Sequence, residues 1–265
     1  MKNNRFVALV LVPGFFLIAV FVVFPVIYGL GISFYDYNPA NSSNPFIGWE
    51  NYRAMLHHPT FWKALKNTVF FGCIALAMNL VITLFLAQII SVLPSKRWKT
   101  FFRTILFIPC IAPVVGTSMI WKFGFVATDG IINQVLSNFG FSPKNWYLTT
   151  WPMLVIIAIY TLWADMGYNV VLFSAGAENV PKEFEEAATI DGASSFQRFL
   201  YVKLPLMGRN FVFVAIMTMA DYFQMFTQFN IFVANGGRND SAMVLTNYIY
   251  QSSFRDFNMG CLGRK

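Results

Sequence analysis

The sequence predicts an all-α fold, a polytopic bundle of transmembrane helices. Of its 265 residues, 57% are hydrophobic and only 12% are charged, whereas soluble domains carry about 25% charged residues. The apolar residues also form long blocks without charges. At about 1.5 Å per helical residue, such blocks can cross a hydrocarbon core of ~30 Å. We therefore expect residues 1–265 to form a single transmembrane domain.

Five uncharged or nearly uncharged blocks are expected to cross the membrane. They cover about 6–32, 68–93, 104–121, 150–176 and 211–234. The first is too long for the apolar region of a signal peptide and lacks a small-residue cleavage site, so we expect it to be retained. Pro25 is expected to kink it. Pro109 and Pro113 interrupt the third block, and a short helix over 51–56 is expected between the first two.

The distribution of basic residues predicts the orientation of the chain. Segments 1–5, 94–103 and 178–209 hold ten Lys and Arg residues in 47 positions, whereas the alternate segments hold six in 84. Cytoplasmic loops are the ones enriched in basic residues. The N-terminus and the loop 178–209 are therefore expected in the cytoplasm. The net charge of +7 follows from the same rule, so we expect contact with membrane lipid and no nucleic-acid partner.

The loop 178–209 has the pattern of two short helices separated by a glycine. Pro181 is suited to a first helical turn, and the small and apolar residues that follow predict an amphipathic helix. Gly192 is expected to end or bend this helix. A second amphipathic run, from Phe196 to Leu204, is expected to stop at Pro205. The pattern favours a segment that docks on another protein through a small helical face and acidic side chains.

The residues of this loop resemble a known motif. Glu186-Ala187-Ala188, three residues, Gly192, nine residues and then Val202-Lys203-Leu204-Pro205 resemble the EAA loop of binding-protein-dependent ABC importer permeases. The wider chain is similar to the carbohydrate-uptake branch of that family, the maltose, lactose and glycerol-phosphate type. Its supporting stretches are Phe24-Pro25, Ser33-Phe34, Phe46–Tyr52, Asn67-Thr68, Trp121, Gly130–Asn133, Asn145-Trp146 and Asn235–Gly237. Val202 and Arg238 depart from the usual Ile and Pro.

The resemblance implies a transport subunit of an ATP-driven importer for a sugar or polyol, with no catalytic residue or metal ligand of its own. Its partners would be a cytoplasmic ATP-binding subunit, a second permease and an extracytoplasmic solute-binding protein, in a bacterial or archaeal inner membrane. ATP and Mg²⁺ would lie on the ATPase, since this chain lacks a phosphate-binding Gly-x-x-x-x-Gly-Lys-Ser/Thr motif. The ATPase-coupling residues implied are Glu185, Glu186, Ala187, Ala188, Asp191, Gly192, Ala193, Leu204 and Pro205.

One departure concerns the C-terminal end. In the family, a sixth core helix follows the region that corresponds to 254–260, whereas this sequence ends at Lys265 without a further apolar block. We therefore expect a truncated form of a longer protein. An inactive fragment is one alternative to the importer reading.

Polar residues inside the predicted spans are candidates for the substrate pathway, because charges there are costly and usually face a cavity or partner. Sugars bind through acid and amide hydrogen bonds together with aromatic stacking. The candidates are Trp163, Asp165, Tyr168, Asn169, Asp221, Gln224 and Gln228, the last three expected on one helical face. Alternatively, the carboxylates hold helices together or face the second permease. We expect Asn79 and Gln88 to bond between helices, and Cys73 and Cys110 to be buried and inert.

Two further function classes remain open. An ion-gradient-driven secondary transporter would use intramembrane charges, of which Asp165 and Asp221 are the candidates. A membrane-embedded enzyme would need clustered His, Cys or carboxylate groups, and the sequence offers only His57-His58 before a proline, a pattern more typical of a solvated turn than of a metal site.

Overall fold

The computed structural model describes residues 2–39, 43–127, 130–147 and 149–255, and helices dominate throughout this part of the chain. In chain order the helices are α1 (Lys2–Ile18), α2 (Phe24–Ile32), α3 (Glu50–His57), α4 (Pro59–Ser91), α5 (Lys96–Ile111), α6 (Val114–Gly124), α7 (Ile131–Asn138), α8 (Thr150–Glu178), α9 (Lys182–Ile190), α10 (Ser195–Arg198), α11 (Leu204–Leu206), α12 (Gly208–Phe223), α13 (Thr227–Phe232) and α14 (Leu245–Tyr250). The predicted all-α class is confirmed. The expectation about a missing sixth span concerns residues beyond 255, outside the described part.

Among the described residues, three helices are long and apolar enough to cross a membrane: Leu9–Ile32, Pro59–Ser91 and Thr150–Glu178. Two bent pairs pass the same test, and counting each as one span brings the number to five. The first pair, α5 with α6, bends by 92° at Pro113, where the sequence predicted an interruption. The second, Ser195–Leu206 with Gly208–Phe232, bends by 74°.

Wider π-helical turns precede two prolines and keep their helices continuous. Ala19–Val23 is π-helical and leads into α2, which carries Pro25 at its start. Phe199–Lys203 is likewise π-helical before α11, which carries Pro205. Proline has no N–H to donate and clashes with the carbonyl four residues earlier, and a π-turn relaxes the ladder at that point. The expectation that Pro205 stops the helix is therefore wrong.

The described residues group into two compact units, one reaching Trp62 and resuming at Asn247, the other spanning Lys63–Thr246. In the first unit, the Asn51 Nδ2 donates to the carbonyls of Ser33 and Tyr35 at 2.8 and 2.9 Å. The Ser33 hydroxyl lies 2.7 Å from the Tyr52 hydroxyl. The predicted short helix is present as α3. None of the apolar window within Leu9–Ile32 is buried, which is the surface expected of a helix bathed in lipid.

The second unit holds two apolar cores, both built on α4, α8 and the chain that follows the loop 178–209. Helix α8 packs closely against α5. A Cβ atom at Gly167 of α8 would overlap the Leu106 carbonyl of α5, so only glycine permits this approach. The same unit places Asn169 of α8 next to Asn79 of α4 and Thr218 of α12.

Candidate functional site

The loop 178–209 begins with helix α9 as predicted. Pro181 occupies the N-cap of α9, and Glu183 and Glu185 lie in its first turn. Negative side chains at this position are stabilised by the positive end of the helix dipole. The sequence therefore sets both where α9 starts and which of its turns carries the acidic groups.

Gly192 ends α9 in a left-handed conformation with φ of +80°. The Gly192 N–H donates to the Thr189 carbonyl at 3.1 Å, and the Ala193 N–H donates to the Ala188 carbonyl at 2.9 Å. This pair of bonds is a Schellman motif, which satisfies the last carbonyls of a helix and favours glycine. The predicted helix end at Gly192 is confirmed, with Asp191 at the C-cap.

The chain then re-enters helix through a capping box. The Ser194 hydroxyl accepts from the Gln197 N–H, and the Gln197 Oε1 accepts from the Ser194 N–H at 2.8 Å. Helical structure of α and π type continues through Leu204 and Pro205 to Leu206. Two short helical segments thus flank the Schellman turn, and reciprocal capping fixes the start of the second.

An ion pair and a hydrogen bond connect the two segments. The Glu185 Oε1 lies 3.0 Å from the Lys203 Nζ, and Lys203 is only 8% exposed. The Arg198 guanidinium donates to the Thr189 hydroxyl. Burying a charge is costly unless it is paired and hydrogen-bonded, so the Glu185 carboxylate offsets the burial of the Lys203 ammonium.

The outer surface of this loop carries large exposed apolar side chains. Ile190 is 87% exposed and Tyr201 73%. Phe184 and Phe196 are more than half exposed, and Glu186 and Asp191 are exposed beside them. Exposed apolar groups rimmed by charge mark interaction surfaces. The loop thus offers both the shape and the chemistry of a docking element.

A second feature is a cavity of about 300 Å³ between α5, α8 and α12. Four predicted pathway residues line it: Asp165, Tyr168, Asn169 and Asp221. It is completed by Phe107, Cys110, Met217, Thr218 and Tyr222. The structure therefore brings together two carboxylates that are 56 positions apart in the chain, with a half-exposed tyrosine ring beside them.

A buried hydrogen-bond network forms the wall of this cavity. The Asn169 Nδ2 donates to the Asn79 Oδ1 at 2.6 Å and to the Thr218 hydroxyl at 3.1 Å. The Asn79 Nδ2 donates to the Tyr222 hydroxyl at 2.8 Å, and Tyr222 lines the cavity together with Asp165. The network connects α4, α8 and α12, so Asn79 bonds between helices as expected. Gln88 instead accepts from Ser91 of its own helix.

Three predicted pathway residues lie outside the lining of this cavity. Trp163 packs in an aromatic cluster, with its ring centroid 5.5 Å from that of Trp121. Gln224 caps the end of α12, and Gln228 belongs to the separate helix α13. The continuous helical face predicted from Asp221 to Gln228 is therefore wrong, because α12 ends at Phe223.

Other polar groups show simple local contacts. The His57 Nδ1 lies 2.7 Å from the Arg53 carbonyl, and the His58 ring lies 6.0 Å from that of Tyr248. Within the described ranges, no three His, Cys, Asp or Glu side chains are grouped to hold a metal ion. Cys73 is exposed, so its expected burial is wrong, since it faces outward from α4.

Sequence comparison identifies the relatives of this chain. Residues 79–261 match the family described as binding-protein-dependent transport system inner membrane component. The lactose transport system permease protein LacF of Rhizobium radiobacter is 31% identical, with 92% of this chain and 81% of the relative covered. The arabinooligosaccharides transport system permease protein AraP of Halalkalibacterium halodurans is 30% identical, with coverage of 98% and 81%. The trehalose/maltose transport system permease protein MalF of Thermococcus litoralis is 29% identical, with coverage of 96% and 84%.

Solved structures share the fold at lower identity. A bacterial ABC transporter involved in the import of the acidic polysaccharide alginate matches with a TM-score of 0.83 at 19% identity, covering 98% of this chain and 88% of that chain. The bacterial alginate ABC transporter in complex with an alginate pentasaccharide-bound periplasmic protein matches with a TM-score of 0.86 at 19% identity, covering 98% and 87%.

Proposed function

This chain belongs to the family of inner membrane components of binding-protein-dependent transport systems, and we propose that it imports a sugar or related polyol as one permease subunit of an ATP-driven transporter. The relatives described above are transport system permeases for lactose, arabinooligosaccharides and trehalose/maltose, and not enzymes. The proposed partners are a cytoplasmic ATP-binding subunit, a second permease and an extracytoplasmic solute-binding protein. With the basic segments inside, the N-terminus and the loop 178–209 face the cytoplasm.

The loop 178–209 is the proposed coupling element. It is a pair of short helical segments fixed by a Schellman turn and an ion pair, and it presents exposed Phe184, Ile190 and Phe196. A rigid helical face with apolar anchors suits insertion into a groove of a partner. This arrangement is the single observation that carries the proposal. ATP and Mg²⁺ belong to the ATPase, and this chain converts the movement of that partner into movement of its helices.

The cavity between α5, α8 and α12 is the proposed segment of the substrate pathway. Its two carboxylates offer hydrogen-bond acceptors to hydroxyl groups, and Tyr168 offers an aromatic face. Trp163, Gln224 and Gln228 would contribute only in another arrangement of the helices. Asp221→Asn keeps the shape of the side chain and removes its charge. We expect it to reduce substrate uptake while the ATPase rate of the assembled transporter stays within about twofold of wild type.

A matched pair of glycine variants tests the coupling role. Gly192 has φ of +80° and Gly140 has φ of +83°, and a Cβ at either position would meet no atom within 4 Å. Replacing either by Ala therefore costs a similar ~1–2 kcal/mol of left-handed backbone strain. In the assembled transporter, we expect Gly192→Ala to lower substrate-stimulated ATP hydrolysis and uptake together, and Gly140→Ala to leave both near wild type. Equal effects of the two variants would refute the coupling role of the loop.

The ion-gradient alternative is favoured by one observation, the presence of Asp165 and Asp221 in the same cavity. Uptake into proteoliposomes distinguishes the two mechanisms. An ATP-driven importer loses uptake when ATP is withdrawn at a constant ion gradient. A secondary transporter retains it.

A further inference from the structure

A second cleft lies behind the coupling loop, between that loop and the ends of α4, α5 and α8. It has a volume of about 390 Å³, which is room for on the order of ten water molecules at ~30 Å³ each. Five basic side chains line it, Lys99, Arg103, Lys182, Arg198 and Lys203, together with the three carboxylates of Glu178, Glu185 and Glu186. The cleft therefore carries an excess of positive charge.

The carboxylates balance only part of this charge. Within the described residues, Glu178 pairs with Arg103 at 2.7 Å and Glu185 pairs with Lys203 at 3.0 Å. Lys99 donates instead to the Ser91 carbonyl, and Arg198 donates to hydroxyl groups. Neutral acceptors satisfy hydrogen bonds but leave the positive charges uncompensated.

One buried donor also lacks a partner. The Nε atom of Arg103 is buried and makes no hydrogen bond to any described residue. A guanidinium presents its donors in a planar fork that suits the oxygens of phosphate. An anion in the cleft could accept from this donor and from Lys99, Lys182 and Arg198, which form no ion pair with a described carboxylate, and each new bond would be a charge-assisted one.

We propose that this cleft binds a phosphate group, held between α5 and the coupling loop. Lys99 and Arg103 would contact it from α5, and Lys182 and Arg198 from the loop. Two sources share this chemistry, the headgroup of an anionic phospholipid and soluble phosphate. The half-exposed Trp98 and Phe101 lie beside Lys99 on α5, as interfacial aromatic residues do at the level of lipid headgroups. This favours the lipid.

The bound phosphate would act as a regulatory bridge. It would connect a helix of the membrane core to the element that moves in coupling, and so would restrain the loop through contacts that do not involve the ATPase. The composition of the inner leaflet, or the phosphate level, would then set how readily the loop moves. This inference needs the cytoplasmic placement of the loop but not the identity of the transported solute.

Lysine acetylation followed by mass spectrometry tests the site in the assembled transporter. Nanodiscs contain phosphatidylcholine alone, phosphatidylcholine with phosphatidylglycerol, or phosphatidylcholine with added inorganic phosphate at constant ionic strength. We expect an occupant to slow acetylation of Lys99 by roughly fivefold, because its amine is then held in a charge-assisted hydrogen bond. If Lys99 is protected in the nanodiscs with phosphatidylglycerol but not in those with added phosphate, the occupant is the lipid. Protection by added phosphate identifies a soluble anion.

Lys96, exposed on the same helix and outside the cleft, serves as the control. Its acetylation rate reports any general effect of surface charge. We expect Arg198→Gln to remove the protection of Lys99, and Arg97→Gln, at an exposed position outside the cleft, to retain it. If the Arg198→Gln variant does not assemble, the Lys99→Gln variant replaces it, and the acetylation rate of Lys182 is measured instead of that of Lys99. Equal reactivity of Lys99 in all three conditions overturns the proposal, whether the amine is constantly reactive or constantly shielded by a partner subunit. Uptake does not enter this measurement, so its outcome is independent of the proposed transport function.

Discussion

The ion pair between Glu185 and Lys203 predicts an asymmetric response to neutralising its two members. Lys203 is 8% exposed, whereas a third of the Glu185 side chain is in contact with water. Glu185→Gln leaves a buried ammonium without a counter-charge. The Gln carbonyl can still accept from the ammonium, so what is lost is the charge assistance of a bond worth ~1.5–3 kcal/mol, and partial exposure of the pair places the expected cost near the lower end of that range. About 1.4 kcal/mol corresponds to a tenfold change in population, so α9 should open roughly ten times more often.

Lys203→Met should cost less, because Glu185 can be hydrated where it stands and the methionine fills the apolar space left by the lysine stem. We expect ~0.5 kcal/mol for this variant, the range of a partly exposed pair. The double variant Glu185→Gln with Lys203→Met should lie close to Lys203→Met alone, since neither charge is then left buried. Opening of α9 is measured by hydrogen exchange of its amides in the assembled transporter. Equal opening in the two single variants, or strictly additive effects in the double variant, would refute this account of the loop.

Two further predictions concern packing and titration. Gly167→Ala places a methyl group against the Leu106 carbonyl, so we expect an overpacking cost of ~1–3 kcal/mol and a lower apparent melting temperature. The control Gly116→Ala, in open helical surroundings, should be neutral or stabilising by up to ~1 kcal/mol. Similar destabilisation by both variants would contradict the close approach of α8 and α5 at Gly167. Burial raises the pKa of Tyr147, whose hydroxyl donates to the Lys122 carbonyl at 2.9 Å. The stability that the protonated Tyr147 contributes should therefore be fully present below its unfolded pKa of ~10. It should be lost as the pH rises through the pKa of Tyr147 in the folded protein. Phenolate absorbance of wild type minus Tyr147→Phe checks this, and ionisation near the ordinary tyrosine pKa would exclude it.

The coupling loop is the part of the site that could be predicted in most detail from sequence, because its structure is fixed by local chemistry. Pro181 at the N-cap, Gly192 in a left-handed turn and Ser194 with Gln197 in a capping box act within a few residues. The error at Pro205 has a local cause too. A π-turn over Phe199–Lys203 absorbs the missing donor, and a π-turn has no reliable sequence pattern.

The intramembrane cavity could be predicted only in part, because its walls come from distant segments. Asp165 and Asp221 could be identified because each is a charged residue inside a predicted apolar span. It gave no reason to select Thr218 or Cys110, whose roles depend on how α5 and α12 pack against α8. The sequence does not predict the end of α12 at Phe223, because no proline or glycine marks the break. The spacing of Asp221 and Gln228 therefore suggested a face that the backbone does not form.

The order of these elements along the chain gives a physical route from the loop to the cavity. Helix α8 carries Asp165 and leads into the loop, and α12 carries Asp221 and follows it. At 1.5 Å per residue, Asp165 lies about 20 Å along α8 from Glu178. Near the loop, the Asn210 Nδ2 donates to the Leu172 carbonyl at 3.3 Å, which ties the two helices together. A displacement of the loop therefore acts on both helices at once. Since they contribute one carboxylate each to the cavity, the element proposed to receive the motion of the ATPase is covalently continuous with two walls of the proposed pathway.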